Sequence, residues 1–108
     1  MNDQPPFRLT PSAARDLYAI LNYVGQDSVN AARSLSLEFL NRFRVLSYSP
    51  AMGLLRSDLT DQPVRSAMLG SYLIVYQSEP KPLSVLRVLS ANPNILQVHR
   101  LQDQLSDD

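Results

Sequence analysis

Nine arginines, one lysine and one histidine carry the side-chain positive charge of this 108-residue chain, and they set what chemistry it can attempt. Arg87 stands inside one of its most apolar stretches, Arg56 among the charges of a loop and Arg65 just after it, and a guanidinium offers a planar fork of donors suited to phosphate or carboxylate. A GC-rich genome would produce the same preference for arginine over lysine. His99 is the sole histidine and the one obvious group for proton transfer, although a lone histidine in a tail is more often an ordinary surface residue. With no cysteine there is no disulfide, no thiolate nucleophile and no cysteine-based metal site. No metal or cofactor is therefore expected. Asp58 and Asp61 read as solvated turn formers, and Gly53 and Gly70 make no phosphate-binding pattern. Ten acidic residues balance the nine arginines and the one lysine, which argues against nucleic-acid binding by bulk charge.

The elements that must position these residues follow from hydrophobic spacing. "FRLT" at 7–10 alternates apolar and polar residues and predicts a first strand. Thr10-Pro11 is a helix start: a hydroxyl to cap free amides, then a proline where its missing N–H costs nothing. Ala14, Leu17, Leu21 and Val24, with Ile20 beside them, form a stripe that should end at Gly25. After a "GQDS" turn, Asp27 or Ser28 caps a second helix running to about Ser47, with Ala32, Leu35, Phe39, Phe43 and Leu46 on its apolar side. A punctuated loop spans 49–63, long for a passive connector. Three strands follow at 64–69, 72–78 and 83–89, joined by tight turns as an antiparallel meander. The last two are apolar on both faces, so helices should cover one face and a loop, tail or partner the other. Arg87 interrupts this buried run, and needs either a carboxylate partner or a route for its head to water. The tail after "NPN" has Ile95, Val98 or His99, and Leu101 or Leu105 loosely in helical register.

The order is β-α-α-β-β-β: an α+β fold with a helical hairpin laid on one antiparallel sheet. A single domain is expected over 1–108, with its core at 7–89 and a tail or short helix at 90–108. No stretch resembles a signal peptide or approaches the roughly 20 apolar residues of a membrane helix. A soluble, cytoplasmic protein with no membrane partner is expected.

Several strings, in this order, resemble the ParE branch of the RelE/ParE superfamily of bacterial toxins. The family's "L-[ST]-x-x-A-x-x-D-L-x-x-I-x-x-Y" is met by Leu9, Thr10, Ala13 or Ala14, Asp16, Leu17, Ile20 and Tyr23. Its "L-x-x-x-P-x-x-G" is met by Leu46, Pro50 and Gly53, and its sheet strings by Arg65, Gly70, Tyr72, Ile74, Tyr76 and the run from Val85 to Leu89. The resemblance implies the toxin of a type II toxin–antitoxin module, of the kind that inhibits growth and stabilises plasmids. It implies a cognate antitoxin docked on the hairpin or sheet edge, with Leu17, Tyr18, Leu21, Leu37 and Leu40 as its groove. Leu37 and Leu40 lie off the main stripe, and a homodimer would explain them as well as a toxin–antitoxin hetero-oligomer.

For the target, the resemblance implies DNA gyrase or a related type II topoisomerase, inhibited by binding without chemistry. Arg56, Arg65, Arg87, Asn92, His99 and Arg100 would be the contact set. The alternatives are a RelE-like, ribosome-dependent endoribonuclease using Arg65, Arg87 and His99, or a non-toxic relative that only binds its partner. Cleavage of RNA needs one group to take the 2′-hydroxyl proton and another to protonate the leaving oxygen. With His99 alone in view, an inhibitor rather than an enzyme is expected. Ser90 and Pro93 stand where many ParE-like toxins carry histidine and arginine, which leaves room for a weakened or retargeted toxin.

Overall fold

The computed structural model describes residues 6–90. Strand β1 (Phe7–Leu9) leads into helix α1 (Pro11–Asp27) and helix α2 (Val29–Tyr48). A 3-10 turn at Pro50–Met52 and a two-residue strand β2 (Leu54–Leu55) follow, then β3 (Arg65–Leu69), β4 (Tyr72–Gln77) and β5 (Leu83–Ser90). The order across the sheet is β1-β5-β4-β3-β2. The β3-β4-β5 meander is antiparallel as expected, and β1 joins its edge parallel to β5, with Phe7 opposite Leu83. A parallel neighbour requires a long crossover, and the whole helical hairpin and meander supply it. The tail from residue 91, with the helix foreseen there and Asn92, His99 and Arg100, lies outside the described residues.

Thr10 does more than cap α1. Its hydroxyl oxygen accepts from the Ala13 N–H at 3.1 Å and donates to the Leu86 carbonyl at 2.8 Å, tying the helix start to β5. The helix does not stop at Gly25. It runs on to Asp27, because the terminating residue is Ser28, whose N–H bonds the Val24 carbonyl while its hydroxyl accepts from the Ala31 N–H. One serine thus closes α1 and opens α2, leaving no separate turn. Ala13, fully buried, faces the core in place of the expected Ala14, which is exposed. Asp16, three residues after Ala13, therefore falls on the side of α1 that meets the sheet.

Phe39, Phe43 and Leu46 of α2 are fully buried against Ile74, Tyr76, Val85 and Val88. Phe7 meets the Phe43 ring edge-on at 5.4 Å, and Phe39 meets Tyr72 at 5.5 Å. Burying each such side chain contributes about 1.5–3 kcal/mol, so this layer holds the hairpin to the sheet. The opposite face is a second core of Val64, Val75, Leu86 and Leu89, continued along β4 by Leu73 and packed against by Leu59. Through Leu59 the loop between β2 and β3 covers part of that face. Strands apolar on both faces are thereby accounted for within the chain.

Candidate functional site: the arginines of the sheet

Strand β5 carries an irregularity that decides where Arg87 goes. Its register with β4 steps from Val75↔Arg87 to Tyr76↔Val85, so Leu86 has no partner on β4 and forms a bulge. Bulges re-aim the side chains beside them. β1 pairs β5 only as far as Val85, and beyond that point α1 takes over the edge. Thr10 bonds the Leu86 carbonyl, and the Asp16 carboxylate accepts the Val88 N–H at 2.9 Å. Arg87 grips the same carboxylate through Nε at 2.6 Å and Nη2 at 2.9 Å. Its side chain is 13% exposed. A charge this withdrawn from water needs such a partner, and Asp16 is also the acceptor that satisfies the strand edge.

Arg65 lies opposite Tyr76 on β3. Its Nη1 donates to the Gly53 carbonyl at 2.8 Å, while the buried Tyr76 hydroxyl accepts from the Gly53 N–H at 2.9 Å and donates to the Pro50 carbonyl. Three bonds from two sheet residues therefore pin the turn after α2. Burial pushes the Tyr76 phenol above its ordinary pKa, against the opposing pulls of the Gly53 N–H and the Arg65 charge. A raised folded pKa gives stability that is complete below the unfolded value and lost as pH rises through the folded one. Tyr76→Phe should therefore flatten the decline in stability above about pH 10. Near neutrality it should cost about 1–3 kcal/mol for the stranded Gly53 N–H. Urea midpoints of both proteins across alkaline pH check this.

Arg56 turns to the other side. It forms a two-bond pair with Asp58, at 3.0 and 2.9 Å, and donates to the buried Ser66 hydroxyl at 3.0 Å. The hydrogen bond to Asp58 raises the Arg56 pKa, and that from Arg56 lowers the Asp58 pKa. Asp58 is thus the counter-ion of Arg56 as well as a turn residue.

Arg65 and Arg87 stand two strands apart in the sheet, on β3 and β5, and each is engaged by a group of the fold. Among the described residues, no group of three His, Cys, Asp or Glu is placed to hold a metal. On the hairpin, Tyr18 is 74% and Leu37 61% exposed, while Leu40 is more covered and Leu17 and Leu21 are half-buried. The roles of Asp16 and Tyr76 were not read from sequence. Both belong to the family strings, but only the fold shows what they hold.

The model of the ParE toxin of type II toxin–antitoxin systems, parDE, matches residues 7–94. The chain belongs to the ParE toxin family. The matched span takes in Asp16, Tyr76 and all three arginines described above. Among solved structures, the chain is similar to the chromosomal ParDE TA system from P. aeruginosa, with a TM-score of 0.64 and 22% identity, over 80% of this chain and 95% of that one. That likeness bears on the fold: two helices on a mostly antiparallel five-stranded sheet. No curated protein matches the sequence. Among the described residues of this ParE-family chain, no helix is long and apolar enough to cross a membrane.

Proposed function

We propose that this chain is a toxin neutralised by a cognate antitoxin and that, once released, it inhibits DNA gyrase or a related type II topoisomerase by binding. The observation that carries the reading is the family match over 7–94. The engagement of Arg87 supports inhibition by binding. A nuclease reading would need Arg87 to stabilise charge on a scissile phosphate, and the Asp16 carboxylate already takes its Nε and Nη2. Inhibition needs no chemistry from the toxin. It needs tighter binding to one state of the enzyme, such as the state holding cleaved DNA, than to the others. The site of action is then the cytoplasm, where bacterial DNA is handled.

The outer face of the hairpin offers the antitoxin its groove. Tyr18, Leu37 and Leu40 present apolar surface there, and such patches mark protein contacts, whereas Leu17 packs inward against the core and Leu21 is half-buried. On the target side, Arg56 and Arg65 are the described arginines that flank the turn after α2, and Asn92, His99 and Arg100 would extend the contact. Arg87 supports that surface from within.

Pulse-labelling of DNA and protein synthesis after tightly controlled induction tests the reading. DNA synthesis should fall first. Protein synthesis falling first would place the chain with the ribosome-dependent nucleases, and no fall in either would mark a relative that only binds its partner. Arg65→Ala should abolish growth inhibition while costing about 1–3 kcal/mol, the worth of one charged hydrogen bond. Undiminished toxicity would remove Arg65 from the contact set.

A further inference from the structure

The two faces of the sheet are roofed unequally. Helices α1 and α2 bury one of them, while on the other the loop between β2 and β3 brings Leu59 down on the core of Val64, Val75 and Leu86. Arg56 anchors that loop at the Val64 end, with its N–H on the Val64 carbonyl and its Nη1 on the Ser66 hydroxyl. The far end of the same face is a row. Residues directly opposite each other in an antiparallel pair share a face, so Met68↔Leu73 and Leu73↔Leu89 set three apolar side chains in line across β3, β4 and β5. Leu89 is buried, Leu73 is half-buried and Met68 is 46% exposed.

The segment of chain nearest to this row is the one that leaves β5. Ser90 closes the strand next to Leu89, and residues 91–108 follow it in the sequence. Asn92-Pro93 is a helix start of the same kind as Thr10-Pro11, a capping side chain and then a proline at the first helical position. From there Ile95, Val98, Leu101 and Leu105 recur at three- and four-residue spacing as one apolar stripe. Three residues of helix rise about 4.5 Å, and neighbouring strands lie about 4.8 Å apart. Ile95, Val98 and Leu101 therefore have the spacing of Leu89, Leu73 and Met68. A separate protein would have to displace a segment that its short link to Ser90 holds at an effective concentration in the millimolar range.

We infer that residues 93–105 form a helix laid along this row, with Ile95 over Leu89, Val98 over Leu73 and Leu101 over Met68, which completes the second core. The tail is then part of the domain and not an appendage to it. Arg100 falls on the far side of that helix, about 150° from the middle of the apolar stripe, and faces water on the same side of the sheet as Arg56. Docking of the tail thus gives Arg100 a fixed place on the surface.

The absence of cysteine makes the test direct, because every thiol in a variant is an introduced one. In the full chain, Leu73→Cys with Val98→Cys should be joined within one molecule by a short thiol-to-thiol cross-linker. Met68→Cys with Leu101→Cys should behave alike, and its sheet member is an exposed position that tolerates change. Val98→Cys with Leu37→Cys, on the hairpin, should be joined at least about tenfold less. No cross-link in either sheet pair, or equal cross-linking of the hairpin pair, overturns the docked helix. Cross-links between two chains in place of within one give the row to the tail of a second copy and overturn it as well. Stability is the second readout. Val98→Asp and Leu101→Asp should each raise the unfolding constant in urea at least about tenfold, whereas Leu96→Asp, across the helix from the stripe, should leave it within about twofold. Equal losses at all three positions, or no loss at any, would contradict the helix on the row.

Discussion

Gly53→Ala is expected to destabilise the fold by about 3–5 kcal/mol, a large share of the 5–15 kcal/mol that holds an ordinary domain together. The reason is not backbone freedom, since Gly53 has φ −83° and ψ 162°, an extended conformation open to any residue. It is space. A Cβ there would overlap the Tyr76 hydroxyl and stand 2.8 Å from the Ser66 carbonyl oxygen and from the Tyr76 ring. The carbonyl is backbone of β3, and the Tyr76 ring is fully buried, so neither yields cheaply. The turn must move instead, giving up the Gly53 N–H bond to Tyr76 and the Arg65 bond to the Gly53 carbonyl. Removing the hydroxyl relieves one of the overlaps, so Gly53→Ala combined with Tyr76→Phe should be less destabilised than the two single changes summed. Urea denaturation of the four proteins in this cycle measures the coupling. Additive losses would mean that the methyl group and the hydroxyl do not compete for the same space.

Asp16→Ala should be comparably severe, at about 3–5 kcal/mol. It takes from Arg87 the carboxylate held by Nε and Nη2, and from the Val88 N–H its acceptor. Asp16→Asn keeps an oxygen for Val88 and should lose less. Replacing the pair together, Asp16→Leu with Arg87→Met, should recover much of the loss, because exchanging a buried ion pair for packed apolar groups is often neutral. The double variant also separates two roles for Arg87. Supporting the surface from within predicts that inhibition of the target survives in the refolded double variant. Direct contact with the target predicts that inhibition vanishes although stability returns.

The course of the chain was legible because its signals are local. Thr10-Pro11, the stripe of Phe39, Phe43 and Leu46, and the turn at Gly70, whose φ of 58° suits glycine, each speak through neighbouring residues. The parallel pairing of β1 with β5 joins Phe7 to Leu83 across most of the domain, and no local pattern announces it. The bulge at Leu86 was hidden because Val85, Leu86, Val88 and Leu89 are all apolar, and a strand buried on both faces has no alternation from which to read a phase shift. Gly25 looked like a helix stop, but Ser28 supplies the bonds that end a helix without a left-handed residue.

Much the same holds for the site. The sequence marks Arg87 as a charge inside a buried run, Arg56 as a charge of the 49–63 loop and Arg65 as part of the family's sheet string, and each raises a question about partners. Their partners are Asp58, the Gly53 carbonyl and Asp16. Two of these need the third dimension: Asp16 is 71 residues away in sequence, and a backbone carbonyl has no residue type to notice. The sequence span 49–63 read as a loop, yet it contains the 3-10 turn and β2. Two residues of strand are too short to show a period, and their exposed leucines look like loop residues until β3 is placed beside them.

The central claim is that this ParE-family chain acts on a topoisomerase by binding. The most direct measurement adds purified toxin to DNA gyrase and supercoilable plasmid, alone and with the cognate antitoxin, and follows supercoiling and cleaved DNA together. The account predicts that supercoiling stops, that cleaved DNA held on gyrase accumulates, and that the antitoxin prevents both. Gyrase working undisturbed, while the same preparation cuts mRNA in translating ribosomes, would contradict it.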